Sequence, residues 1–386
     1  GPWEHKYPHF AVPEPRKGFL QEALRWWDRW LKDKDTGVED DPAYTAYLMK
    51  GVRPKTFYEH RDGIWITEAD WPNGISWHSA YFQANGSLGA TLEKLADPIK
   101  SPQTCGMQSG EYCAIWLGPE LPGDQRRDDA LSMCYTSEPF GEDYVIFGAP
   151  KVCLTLSSNK AQAQIAVRLN HIHPDGASTR ITYGVLNLSH YKSHSSPTPL
   201  PLGQNVEVTL SLDQIAYRIP KGHKFRVAIS TSYWPLLWPC PEAATLTLRQ
   251  GSIDIPLRPS GESNERVFPL TESEAPWDVD VLRPSNNARR VIEDMHTGAI
   301  TIKVLDDFGK NKDKDHELIS GGIAREWRTI HPEDPVSAHG KTHWTMETGR
   351  NGWTTRTESF AEMRSDRENF FLTARLEAYE NKYTYF

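Results

Sequence analysis

Seven short runs of alternating apolar and polar residues fill the middle of the chain: "VCLTLSS", "AQIAVRLNHI", "ITYGVLNLSHY", "NVEVTLSLDQIAYRI", "HKFRVAISTSYW", "ATLTLRQ" and "IDIPLR". In a strand, residues two apart share a face, so each run offers one side to a core and one to water. Turn residues separate the runs and no helix-period stretch comes between them. Many short strands without crossover helices predict an all-β sandwich of the jelly-roll kind, here over residues 47–260. The "HPDGAS" stretch at 173–178 predicts a hairpin connection, with Asp-Gly supplying positive φ.

The flanks read differently. "GFLQEALRWWDRWLK" places Phe19, Leu20, Ala23, Leu24, Trp26, Trp27, Trp30 and Leu31 on one stripe of a helix. A face with three tryptophans calls for a large partner surface. Gly37 is expected just past the helix end. Residues 261–285 are rich in Pro, Ser and acids and predict a linker. Over 286–386 strands resume as an antiparallel β-rich extension, from "AITIKVLDDFG" onward, and the closing "YTYF" lies inside an apparent strand.

With 43 Lys and Arg against 51 Asp and Glu, net charge is -8 and no basic block can track phosphates, which argues against a nucleic-acid partner. No apolar run is long enough to span a bilayer as a helix, which argues against a membrane partner. Five scattered cysteines without C-x-x-C argue against a disulfide framework or a zinc knuckle and predict reduced, mostly buried thiols in a cytoplasmic protein.

Candidate chemistry is sparse. The strained G-x-S-x-G turn that exposes a nucleophilic serine does not occur, and Gly86-Ser87-Leu88-Gly89 has the wrong spacing and predicts a plain turn. His171 and His173 lie two apart on one strand face, half of a metal site. With no third ligand nearby in sequence, a hairpin entry accounts for them. His223, after a Gly turn, is expected to be a strand-start histidine bonded to a loop. The acidic "DDFGKNKDKDHE" lacks the Gly and Glu positions of a calcium loop and predicts a solvated loop. A histidine such as His5 in a Pro-Trp loop is, on pattern alone, more often structural than catalytic.

The stretch "GPWEHKYPHF", then "GFLQEALRWWDRWLK" and "DTGVEDDPAY", resembles the end of the hydrolase core in the CocE/NonD family, the cocaine-esterase and X-Pro dipeptidyl-peptidase relatives. "EPFGEDYVIFGAPKVCLTLSS", "VRLNHIHPDGAS", "GVLNLSH" and "GHKFRVAISTSYWPLLWP" are similar to successive segments of the X-Pro dipeptidyl-peptidase C-terminal domain. The resemblance covers about residues 1–260. It implies that residues 1–46 are the last loop and helix of an α/β-hydrolase core. It further implies that His5 is the base of a Ser-Asp-His triad whose other two members precede this chain, which alone is expected to be inactive. Tyr191 stands where relatives often carry Arg, with no catalytic consequence expected.

The function implied is acyl-ester or X-Pro peptide hydrolysis on a small substrate, with no cofactor and no required metal, and with a homo-oligomer possible. A different class stays open: a Trp-rich sandwich that binds carbohydrate or a protein partner. Exposed tryptophans on a flat platform would favour it, whereas the settings of Trp26, Trp27, Trp30, Trp234 and Trp238 predict packing.

Overall fold

A computed structural model describes all residues except 71–73, 116–117, 260–264, 382 and 385–386. The first residues of the expected linker, 261–264, and the last two of "YTYF" therefore lie outside the described residues. The chain is mainly β, as the alternation predicts. After helix α1 (Phe19–Lys32) come β1 (Tyr44–Lys50), β2 (Gly63–Glu68), β3 (Ser76–Phe82), β4 (Leu88–Gly89), β5 (Asp97–Ile99), a short helix α2 (Arg126–Asp129), β6 (Met133–Thr136) and β7 (Tyr144–Gly148). Then follow β8 (Lys151–Ser158), β9 (Gln164–Ile172), β10 (Ser178–Asn187), β11 (Val206–Ser211), β12 (Ile215–Ile219), β13 (Lys224–Ser230) and β14 (Leu246–Leu257).

These strands form two sheets. One runs β11-β8-β14-β7-β12-β1-β2, with β3 and β5 also paired to β14 and β4 to β3, and the other runs β10-β9-β13-β6. Pairing is antiparallel apart from β1 with β12. Both sheets feed one apolar core: Val152, Leu154 and Leu156 from the first meet Ile165, Val167, Leu169, Val227 and Ile229 from the second. β11 shows the underlying rule, with Val206, Val208 and Leu210 buried and the residues between them exposed. β9 breaks it, because all nine of its residues are buried. Its odd-numbered side enters the core, while Arg168 and Asn170 on its other side are covered by the segment that carries α2.

A third sheet is built from β15 (Val279–Arg283), β16 (Asn286–Glu293), β17 (Ile300–Asp313), β18 (Ile319–His331), β19 (Asp334–Arg350), β20 (Trp353–Ser365), β21 (Phe370–Glu380) and β22 (Tyr383–Thr384). From β17 onward it is an antiparallel meander, as expected. Its strands begin earlier than the composition suggested, since β15 lies in the Pro- and acid-rich stretch and pairs with β17. The acidic run near 306 is a solvated loop only at its end, where Lys314–Glu317 form an exposed turn. Its first eight residues, Asp306–Asp313, are the second half of β17, where Asp306 and Asp307 pair with Arg289 and Arg283. The sheet packs Ile300, Ile302, Val304 and Ile330 against Met107 and Trp234.

Helix α1 forms where its periodicity places it. It stops at Lys32, with Asp33 in the left-handed conformation, four residues before Gly37. Its orientation is the informative part. The charged side engages the chain, through Arg25 with Asp41, Arg29 with Glu39, and Gln21 Nε2 donating to Leu270 O at 2.9 Å. The apolar side faces outward, leaving Trp26, Trp27 and Trp30 about half exposed and Leu31 at 72%. The packing expected for these tryptophans is therefore absent within the described residues. A contiguous patch of this kind drives association. The chain is expected to sediment as a dimer or larger species in analytical ultracentrifugation, and Trp26→Glu with Trp30→Glu should shift it to monomer. A monomer in both forms would count against this reading.

Candidate functional site

His5 is exposed, on a loop whose backbone is well tied down. Its own N–H donates to Ala114 O at 2.7 Å, and that of Glu4 donates to Val12 O at 3.0 Å. Trp3 donates Nε1–H to Pro15 O at 2.8 Å and packs its ring 5.5 Å from Trp65 on β2. Glu14 N–H donates to Glu59 O and Arg61 N–H to Glu14 O, both at 2.8 Å, which laces the loop to the segment before β2. His9 has a different role. It lies nearly parallel to Phe19 at 6.0 Å and edge-on to Phe10 at 4.7 Å, inside an aromatic cluster. The same short stretch thus carries one exposed imidazole and one packed imidazole.

A second imidazole group lies at one end of the two-sheet body. His171 and His173 stack with centroids 4.0 Å apart, and His171 Nε2 lies 2.7 Å from His223 Nδ1. One ring nitrogen from each of the three falls within 4.8 Å of the others. His171 and His173 sit at the end of β9, and His223 immediately precedes β13 beside it in the same sheet. The expected loop partner of His223 is thereby corrected, because its side chain bonds the His171 ring. So is the expectation that His171 and His173 lack a third imidazole. The third ligand is distant in sequence and adjacent by sheet pairing, Phe225 standing opposite His171. Burial, then repulsion from His173 and His223, pushes the His171 pKa down to about 3, and burial also lowers that of His173 and His223. Gly51 passes so close that a Cβ there would sit 2.6 Å from His171 Cε1.

A third polar group is fully interior. Arg168 donates from Nη2 to Ser132 Oγ at 2.7 Å and Asp128 O at 3.1 Å, and from Nη1 to Gln125 Oε1 at 3.2 Å. Asp128 accepts from the N–H groups of Gly106 and Gln108 at 3.1 and 2.9 Å. Asp129 accepts from Asn170 Nδ2 and Ser178 Oγ, each at 2.8 Å. Arg168 and Asp128 are fully buried. Burial raises the Asp128 pKa against the opposing pull of Arg168. With its members this deeply enclosed, the network locks the α2 segment onto β9 and offers nothing to a substrate. Periodicity carries no signal for it.

The stretch Gly86–Gly89 is a turn only up to Gly86, at φ 79° with Ser87 N–H donating to Asn85 Oδ1 at 2.9 Å, because Leu88 and Gly89 form β4. Among the cysteines Cys105 is buried but Cys113 is exposed. No helix among the described residues is long and apolar enough to cross a membrane. A cleft of about 380 Å³ opens between Trp238 and the third sheet, with Trp234, Arg328, Met363 and Leu372 on its walls. Trp234 is buried and Trp238 half-buried, so they form no open platform for a sugar ring.

Residues 36–279 match the family model of the X-Pro dipeptidyl-peptidase C-terminal non-catalytic domain, more than half of the chain. A protein named as a serine esterase in Mycobacterium bovis is 24% identical over 291 residues, 67% of this chain and 45% of that protein. The cocaine esterase of a Rhodococcus species is 22% identical over 61% of this chain and 43% of its own length. An Xaa-Pro dipeptidyl-peptidase of Lactobacillus delbrueckii subsp. bulgaricus is 23% identical over 43% of this chain and 25% of its own length. The solved aminopeptidase from a marine sediment Thaumarchaeota archaeon shares the fold at a TM-score of 0.52, with 18% identity over 67% of this chain and 48% of its own. The chain spans less than half the length of these curated relatives. Taken with the two-sheet body and the motifs along it, the match over residues 36–279 places the chain in the CocE/NonD and X-Pro dipeptidyl-peptidase family of hydrolases, whose C-terminal domain it carries.

Proposed function

We propose that the whole protein is a serine hydrolase acting on an ester or amide acyl group, with His5 as the base of its triad. The carrying observation is the position of His5. It lies N-terminal to the matched non-catalytic domain, exposed, on a tethered loop directly before α1. In the proposed reaction a serine outside these residues attacks the acyl carbon. His5 takes the serine proton and passes it to the leaving group, then repeats the transfer with water to release the acid. The two-sheet body contributes no triad member, consistent with the absence of a nucleophile turn in this sequence.

A fluorophosphonate probe tests the assignment. Applied to the whole protein, it should label one serine outside these 386 residues. Applied to the chain alone, it should label nothing, and the chain should not turn over p-nitrophenyl esters above a buffer blank. Labelling of a serine within the chain would overturn the reading.

A further inference from the structure

We propose that His171, His173 and His223 bind one divalent transition-metal ion of the zinc class, clamping the end of β9 to the start of β13. The site does not depend on the hydrolase reading and shares no residue with it.

The donor set suits such an ion. Imidazole is a ligand of choice for zinc, cobalt, nickel and copper, and three of them with an open fourth position is a known zinc arrangement. The three ring nitrogens already converge within 4.8 Å, with two of the rings held in the interior. Ligating histidines characteristically donate their other ring N–H to an oxygen that fixes the tautomer. His173 has that partner in Thr179 Oγ1, 3.0 Å from its Nε2. The Thr179 hydroxyl proton is committed to Val52 O at 2.9 Å, so the hydroxyl accepts from His173 Nε2–H and Nδ1 is left with a free lone pair. His171 Nδ1 lies 3.0 Å from Tyr217 Oη, which leaves its Nε2 to face His223.

Without an ion, His171 Nε2 and His223 Nδ1 share a proton across 2.7 Å. A metal would take the place of that proton. Two nitrogens on a tetrahedral zinc stand about 3.3 Å apart, given Zn–N bonds of about 2.0–2.1 Å. The closest pair must therefore part by about 0.6 Å and the widest, within 4.8 Å, draw in by up to about 1.5 Å, so one ring must shift. His223 is free to do so, being the partly exposed member at a strand start, whereas His171 is pinned by Gly51 and Tyr217. The ion would tie the end of β9 to the start of β13, beside the stretch after β1, where Val52 holds Thr179 and Gly51 abuts His171. The neighbouring Arg53–Asp175 ion pair, at 2.5 Å, joins the stretch after β1 to the hairpin just beyond His173.

The test is titration of chelator-treated chain with Co(II), read by the visible absorption of four-coordinate cobalt and by thermal unfolding. One equivalent should bind with an intense visible band, and the melting midpoint should rise by a few degrees at saturation, as ligand binding to the native state requires. His223→Ala, at the partly exposed position, should weaken binding by on the order of 100-fold or more and remove the shift. The surface pair His190 and His194, with rings 5.9 Å apart, is the control, and replacing both by Ala should leave the titration unchanged. Absence of a stoichiometric band in the unaltered chain would overturn the proposal. So would equal binding by His223→Ala, or loss of the band on replacing His190 and His194. Should His223→Ala not fold, the unaltered chain and the His190/His194 variant together still decide the matter.

Discussion

Replacing His5 by Ala in the whole enzyme is expected to lower kcat by on the order of 10⁴-fold or more with little change in KM. A triad base acts only as the barrier is crossed, accepting a proton in acylation and again in deacylation, so its removal spares ground-state binding. His9 is the internal control, four residues away on the same stretch. It is packed against Phe10 and Phe19, and its Nδ1 is enclosed without a partner. His9→Ala should therefore act through local packing and leave kcat within about tenfold of the parent, as expected of a residue outside the transition state. Steady-state kinetics on one acyl ester resolve the two variants. Near-normal kcat in His5→Ala with loss in His9→Ala would move the catalytic assignment to the packed ring and contradict the tethered loop as its carrier.

Truncation of Arg168 to Ala is expected to cost about 3–5 kcal/mol of stability, the penalty for removing one partner of an enclosed ion pair. The cause is what remains behind. Asp128 would keep only the Gly106 and Gln108 N–H donors, while Asp129 would keep Asn170, Ser178 and the Arg226 guanidinium at 3.2 Å, so the loss falls mainly on Asp128. Against a total of about 5–15 kcal/mol for a folded domain, this is enough to unfold a marginal one. Arg168→Lys keeps the charge but not the fork that spans Gln125, Ser132 and Asp128 O, so it should fall between. Urea unfolding of the three proteins measures the order. A loss below about 1 kcal/mol in Arg168→Ala would mean that the carboxyl groups find other partners or take up protons.

Sequence legibility followed the burial of one face. β11 could be read directly because its alternation is complete, and α1 because its apolar stripe is unbroken. What escaped was anything settled by the other side of an element. β9 is buried on both faces, so Arg168 and Asn170 looked like solvent positions when they anchor the α2 segment. "NVEVTLSLDQIAYRI" reads as one strand, but it breaks after Ser211 into an edge strand beside β8 and an inner strand between β7 and β1. For α1, periodicity gave the stripe but not the side on which the chain lies, which is set by Asp41 and Glu39. His5 was visible only through resemblance, since a single histidine has no spacing to test. The three-histidine cluster was half visible. The pair two apart on a strand was plain, but its third member is chosen by register between β9 and β13, which alternation does not encode.

The contrast between the sheets bears on how the chain reaches its native state. From β16 onward in the third sheet neighbours in sequence are neighbours in space, as where His331 meets Asp334 or Arg350 meets Trp353 across a tight reversal. The first sheet requires distant meetings, Ser252 with Tyr81 and Met49 with Tyr217. Each such meeting must close a long loop before any contact rewards it, and topologies of that kind form slowly. The meander can zip hairpin by hairpin. During synthesis β3 must wait for β14 to emerge before its ladder is complete, with residues such as Ala80 and Phe82 uncovered meanwhile. The vulnerable interval for aggregation thus belongs to the body that defines the family, since the strand ladder of the later-made extension forms mostly from local pairings.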